Sequence, residues 1–132
     1  VRLMHELGVW VEVTTLIIPG WNDSEEELRE IARFIKSVDP GVPWHVTAFR
    51  PTYKMIDKES TPIATLKKAR KIGAEEGLLY VFEGNIPGSG GENTFCPSCK
   101  AEVITRFGFS IGDIKIKEGR CASCGEVING IW

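Results

Sequence analysis

Two C-x-x-C pairs, Cys96-Pro97-Ser98-Cys99 and Cys121-Ala122-Ser123-Cys124, contain every cysteine in the chain and stand 21 residues apart. No other feature limits the fold so sharply. A module of about 40 residues buries too little apolar surface to be stable alone, so a bound metal must supply folding free energy. Two tight knuckles that turn four thiolates inward, with short strands between them, describe a zinc ribbon. A tetrahedral site at Cys96, Cys99, Cys121 and Cys124 suits zinc, and a rubredoxin-like iron would use the same four sulfurs. Disulfides or a redox dithiol are the competing readings. The cytosolic look of the chain disfavours the first, and the matched pairs disfavour the second. The only histidines are His5 and His45, so no further ligand lies nearby and the site is expected to be closed and structural. The segments EVITRFGF and DIKIK are expected to form a hairpin, and EVINGIW a third strand.

Upstream the pattern is different. VWVEVTTLIIP is β-branched and aromatic and stops at Pro19-Gly20, which reads as a strand. Ser24 and Glu27 fit a capping box, and Glu25, Glu26 and Glu27 complement the helix dipole. Leu28, Ile31, Ala32, Ile35 and Val38 then form one apolar stripe, ended by Asp39-Pro40-Gly41. WHVTAF, at 44–49, is a second strand. Thr61, with Pro62 at the first helical position, opens a second helix with Ile63, Leu66, Ala69 and Ile72 on one face and Gly77 past its end. LLYVFE, at 78–83, is a third strand. This β-α-β-α-β order predicts an α/β fold of parallel strands with helical crossovers. Residues 1–84 form that unit, 85–94 a Gly- and Pro-rich linker, and 95–132 the zinc-ribbon domain.

Alternation along the strands sorts the side chains by face. Glu12, Thr14, Leu16 and Ile18 share one face of the first strand, and His45, Thr47 and Phe49 one face of the second. The apolar sets belong under the helices, which leaves Glu12, Thr14, His45 and Thr47 together on the other side. That side is either a binding surface or the place where Glu12 and His45 pair in a core. Ligands of α/β folds gather at strand carboxyl ends, here 18–21 and 50–54, where Arg50 and Lys54 could meet an anion.

The bulk numbers fit a globular chain. Of its 132 residues, 42% are hydrophobic and 26% charged. No apolar run approaches the roughly 18 residues of a membrane span. A net charge of −2 gives no electrostatic reason to expect nucleic acid. The expected location is cytoplasmic. The chain begins at Val1 inside what reads as the end of a helix, and the strand at 9–18 would have an unpaired edge. Both features suggest the C-terminal part of something longer, although a processed N-terminus would also explain Val1. The expected partner at that edge is a missing N-terminal half of a barrel or a homodimer mate.

The segments VEVTTLIIPGWNDSEEEL, WHVTAFRPTYKM, TPIATLKKARKIGAEEGLLYVFEGNIPG and CPSC…CASCGEVINGIW resemble the C-terminal half of radical S-adenosylmethionine enzymes related to pyruvate formate-lyase activating enzyme. The group they resemble most is the AmmeMemoRadiSam system radical SAM enzyme. The resemblance implies a partial (β/α) barrel that holds S-adenosylmethionine against a [4Fe-4S] cluster. In such enzymes the cluster reduces the sulfonium, and a 5′-deoxyadenosyl radical abstracts hydrogen from the substrate. Thr14 and Leu16 match first-strand cofactor contacts, and His45 and Thr47 join them on the same face. Arg50 stands where relatives carry a His or an aromatic residue against the adenine. Memo-like and AMMECR-type proteins are implied as partners by association. The C-x-x-x-C-x-x-C cluster motif is absent from the sequence, and Gly90-Gly91-Glu92 in the linker is not the family's methionine-binding motif. The chain alone is therefore expected to be inactive. The rival expectation is a non-enzymatic zinc-ribbon module that binds a protein or nucleic acid.

Overall fold

The computed structural model describes residues 1–86 and 88–132. Pro87, within the expected linker, lies outside the described residues. A short helix, α1 (Arg2–Glu6), precedes strand β1 (Val13–Ile17), helix α2 (Glu25–Val38), strand β2 (Trp44–Ala48), helix α3 (Ile63–Glu76) and strand β3 (Val81–Gly84). The three strands form a parallel sheet in the order β1-β2-β3. Consecutive parallel neighbours joined by right-handed crossovers place both helices on the same face. There Leu28, Ala32 and Ile35 of α2 and Leu66, Ala69 and Ile72 of α3 pack on Ile17, Trp44, Val46 and Ala48, all of them buried. Among the described residues the architecture is thus mixed α/β with a three-stranded parallel sheet.

Local chemistry explains most of the boundaries. The Ser24 side chain accepts from the Glu27 amide at 3.3 Å and donates to the Glu27 carboxylate at 2.6 Å, so both capping-box residues take part. Gly77 closes α3 in the left-handed region at φ 95. Gly73 lets α3 approach the sheet: a Cβ there would stand 2.7 Å from Val81 Cγ2 and 3.1 Å from the Trp44 ring.

Other boundaries differ from the sequence expectation. β1 begins at Val13 rather than Val9, because its ladder starts only where Trp44 becomes available beyond Pro43. β3 starts at Val81 because the amides of Leu78 and Leu79 are taken by Gly73 and Pro40 carbonyls. Thr61 does not cap α3. Pro62 is the N-cap, and the Thr61 hydroxyl instead accepts from the Phe49 amide at 2.8 Å and donates to the Ile17 carbonyl at 2.5 Å. Buried, it ties the ends of β1 and β2 together.

The C-terminal part forms an antiparallel sheet of β4 (Thr94–Phe95), β5 (Glu102–Phe107) and β6 (Ser110–Ile114), followed by a small hairpin of β7 (Ile116–Lys117) and β8 (Arg120–Cys121). The expected hairpin is present, with DIKIK divided between β6 and β7. EVINGIW is not a third strand: it makes one bridge, Val127 to Arg120. It then turns inward, where the Ile128 amide donates to the Gly119 carbonyl and the Asn129 amide to the Tyr80 hydroxyl. Tyr80, which immediately precedes β3, is buried with Cys96, Val103, Ile104, Cys121 and Ile128. The core around the cysteines therefore borrows a residue from the α/β part. Among the described residues no helix is long and apolar enough to cross a membrane.

Candidate metal centre and the open sheet face

Each cysteine pair sits on the same backbone device. In the first, the Lys100 amide donates to the Cys96 carbonyl at 3.1 Å, and the Cys96 amide to the Ala101 carbonyl at 2.8 Å. In the second, the Gly125 amide donates to the Cys121 carbonyl at 2.8 Å, and the Cys121 amide to the Glu126 carbonyl at 2.8 Å. The residue after each second cysteine has a positive φ, 61 for Lys100 and 78 for Gly125. Glycine meets that demand without cost and lysine does not, so the two knuckles share a geometry but not a sequence.

The knuckles bring the sulfurs of Cys96, Cys99, Cys121 and Cys124 within 4.8 Å of one another. Cys96 and Cys124 stand 3.6 Å apart, and Cys99 and Cys121 3.8 Å. These separations are far longer than the roughly 2.05 Å of a disulfide. Four sulfurs at about 2.3 Å from a central zinc would stand about 3.8 Å apart at the corners of a tetrahedron. The four residues thus fit a metal ion such as zinc. Cys96 and Cys121 are buried in the core and Cys99 and Cys124 are exposed. Backbone amides of Ser123 and Cys124 favour the Cys121 thiolate and bring its pKa down to about 7, against the opposing effect of burial. The Glu126 amide favours the Cys124 thiolate, but hydrogen bonds to the neighbouring cysteines, Cys99 foremost, outweigh it and push that thiol up to about 12. Thiols this close do not all ionise without a cation among them.

The sheet's other face is uncovered along β1. The register pairs Thr14 with His45 and His45 with Phe82, and Leu16 with Thr47 and Thr47 with Gly84. Four of the five candidate cofactor residues, Thr14, Leu16, His45 and Thr47, therefore lie on one face in two adjacent rows. Arg50 lies beyond the end of β2, where its Nη2 donates to the Asn85 carbonyl at 3.3 Å. Thr14 and Leu16 are exposed. Glu12 and His45 do pair, at 2.6 Å, but on this half-exposed face rather than in a core. Burial alone would raise the Glu12 carboxyl, yet hydrogen bonds from Trp10 and His45 hold it below its ordinary range.

The sequence reading missed Phe82, which stacks on His45 with ring centroids 5.1 Å apart, and Arg106, which reaches the same face from β5. Alternation within LLYVFE permits Phe82 on this face, but only the register places it beside His45. No signal in the sequence brings Arg106 there.

Comparison with known proteins finds 44% identity over 131 residues to Uncharacterized protein MJ0808 of Methanocaldococcus jannaschii. The match takes in 97% of this chain and 39% of that protein, so the chain spans about two fifths of the relative's length. No family profile and no solved structure matches the chain.

Proposed function

We propose that this chain is the C-terminal part of a radical S-adenosylmethionine enzyme related to pyruvate formate-lyase activating enzyme, in which it supplies one wall of the cofactor pocket and a structural metal ribbon. The observation that carries the reading is the open face itself. Thr14, Leu16, His45 and Thr47 form a mixed polar and apolar platform beside the β1 edge. A parallel strand with that composition is ordinarily covered on both faces. The greater length of the archaeal relative agrees with further β/α units on that edge.

S-adenosylmethionine would bring a cleavable sulfonium as the source of the reacting group. What this chain contributes is placement. The Thr14 and Thr47 hydroxyls offer hydrogen bonds, Leu16 offers an apolar patch, and Thr61 holds the ends of β1 and β2 in register. Arg50, already donating to Asn85, suits an adenine contact less well. The four cysteines are a set suited to a single ion rather than to the larger [4Fe-4S] cluster, their sulfurs lying within 4.8 Å of one another. With every corner taken by sulfur, that set leaves no open position for a reacting water.

The test uses the longer protein, isolated anaerobically, with S-adenosylmethionine affinity measured by calorimetry for the parent, Leu16→Asp and Thr47→Ala. A loss of affinity of about tenfold or more in the Leu16→Asp protein supports the reading. Equal affinity in all three refutes it. A second reading, a ribbon that docks on a protein, draws on the exposed Phe107, Phe109, Ile111 and Ile114 of the β5–β6 hairpin. In that case a stable partner complex would be lost on Phe109→Ser while cofactor affinity stayed the same.

A further inference from the structure

A cleft of about 540 Å³ lies between the open sheet face and the β5–β6 hairpin. It is of the size that takes small molecules, roughly 300–1,000 Å³. One wall is the row Glu12, His45 and Phe82, and the other holds Glu92, Arg106 and Phe109. His45 and Phe82 lie near the starts of β2 and β3, and Gly84, Asn85 and Ile86 carry the lining on to the carboxyl end of β3.

Arg106 is held firmly and used incompletely. Its Nη1 donates to the Glu92 carbonyl at 3.1 Å and to the Thr94 hydroxyl at 2.6 Å, and its guanidinium stands 5.6 Å from the centre of the Phe82 ring. Its Nε and Nη2 make no hydrogen bond among the described residues, so a planar pair of donors is available to a carboxylate. The two carboxylates of the cleft differ. Both oxygens of Glu12 are taken, by Trp10 and His45. Glu92 meets only the Gly108 amide, at long distances of 3.3 and 3.4 Å, and keeps acceptor capacity. Arg106 bonds the backbone of Glu92, and the carboxylates of both Glu12 and Glu92 lie near enough to favour its charge. Phe109, fully exposed at the hairpin tip, and Phe82 supply apolar surface on either side.

We infer that this cleft binds a free α-amino acid with an apolar side chain: Arg106 takes the carboxylate, Glu92 the ammonium, and Phe82 and Phe109 flank the side chain. An adjacent cation and anion match a zwitterion, whereas a ligand with one charge leaves its counterpart unsatisfied. The ribbon is then more than a structural appendage, since it carries the Arg106 anchor, with Glu92 supplied by the segment that leads into it. The inference shares only His45 with the cofactor reading and is tested without that cofactor.

The experiment is a ¹H–¹⁵N titration of the zinc-loaded full chain with L-phenylalanine, phenethylamine and 3-phenylpropionate, following the Gly108 and Asn85 amides and the Arg106 Nε–H. Saturable shifts with phenylalanine are expected, with each single-charge analogue at least about tenfold weaker. Arg106→Gln should weaken phenylalanine and 3-phenylpropionate but leave phenethylamine unchanged, whereas Glu92→Gln should weaken phenylalanine and phenethylamine but leave 3-phenylpropionate unchanged. The thiolate-to-metal absorption of cobalt-loaded variants reports whether the ribbon is intact. If Arg106→Gln disturbs it, the Glu92→Gln protein and the three-probe comparison on the parent decide. Absence of saturable shifts at these groups, or equal affinity for all three probes, overturns the inference.

Discussion

Replacing Thr61 by valine keeps the side chain's shape and removes one hydroxyl. That hydroxyl accepts from the Phe49 amide at 2.8 Å and donates to the Ile17 carbonyl at 2.5 Å, and Thr61 is only 7% exposed. The variant leaves one backbone donor and one backbone acceptor buried without these partners. Each such group costs about 1–3 kcal/mol, so Thr61→Val should destabilise the protein by roughly 2–6 kcal/mol. Thr61→Ser keeps both bonds and loses one methyl, at a cost of about 1 kcal/mol. The assay is urea unfolding of the metal-loaded protein followed by tryptophan emission, to which the fully buried Trp44 contributes. With a urea slope of about 1–3 kcal/mol per molar, the Val variant should lower the midpoint by about 1 M or more. If Thr61 were instead only a helix cap, serine and valine would be separated by cap energetics of about 1 kcal/mol. A Val variant within about 0.5 kcal/mol of the parent, or a Ser variant as damaged as the Val variant, would refute the assignment of Thr61 as the tie between strand ends.

Removal of metal by a strong chelator should melt the C-terminal sheet, because two of the four ligands are part of its core, and the Tyr80 ring should lose its burial with it; loss of amide protection confined to residues 94–132 would be the signature in hydrogen exchange. Gly73→Ala should destabilise by about 1–2 kcal/mol despite alanine's better helix propensity, since the new methyl meets Val81 and the rigid Trp44 ring; adding Val81→Ala should restore part of the loss in a double-mutant cycle. Glu12 should titrate below the ordinary carboxylate range by carbon NMR, and His45→Ala should move it upward. Because its folded pKa is depressed, its contribution to stability is present above the unfolded carboxylate pKa and is lost as pH falls through the folded value.

How much was legible in the sequence differs from element to element. The Ser24–Glu27 cap, the apolar stripe of α2 and the stop at Gly77 depend on residues within a few positions of one another, so local patterning suffices to read them. The same holds for the cysteine knuckles, whose ligands repeat at a fixed short spacing. Strand extents were read less well. β1 and β3 are shorter than their β-branched runs, because a strand exists only where a neighbour completes its ladder, and proline or competing turn bonds determine where that happens.

The sequence by itself determined the order β-α-β-α-β, the inward sets of the first two strands and the four-cysteine cluster. These follow from periodicity, capping and ligand spacing, all of which are local. Only the tertiary structure decided that Thr61 ties two strand ends, that Tyr80 joins the ribbon core, and that Phe82 stacks on His45. It also brought Arg106 of the ribbon to the open face of the sheet. Each of these joins residues from separate elements, and their approach is set by packing the whole chain rather than by any short-range preference.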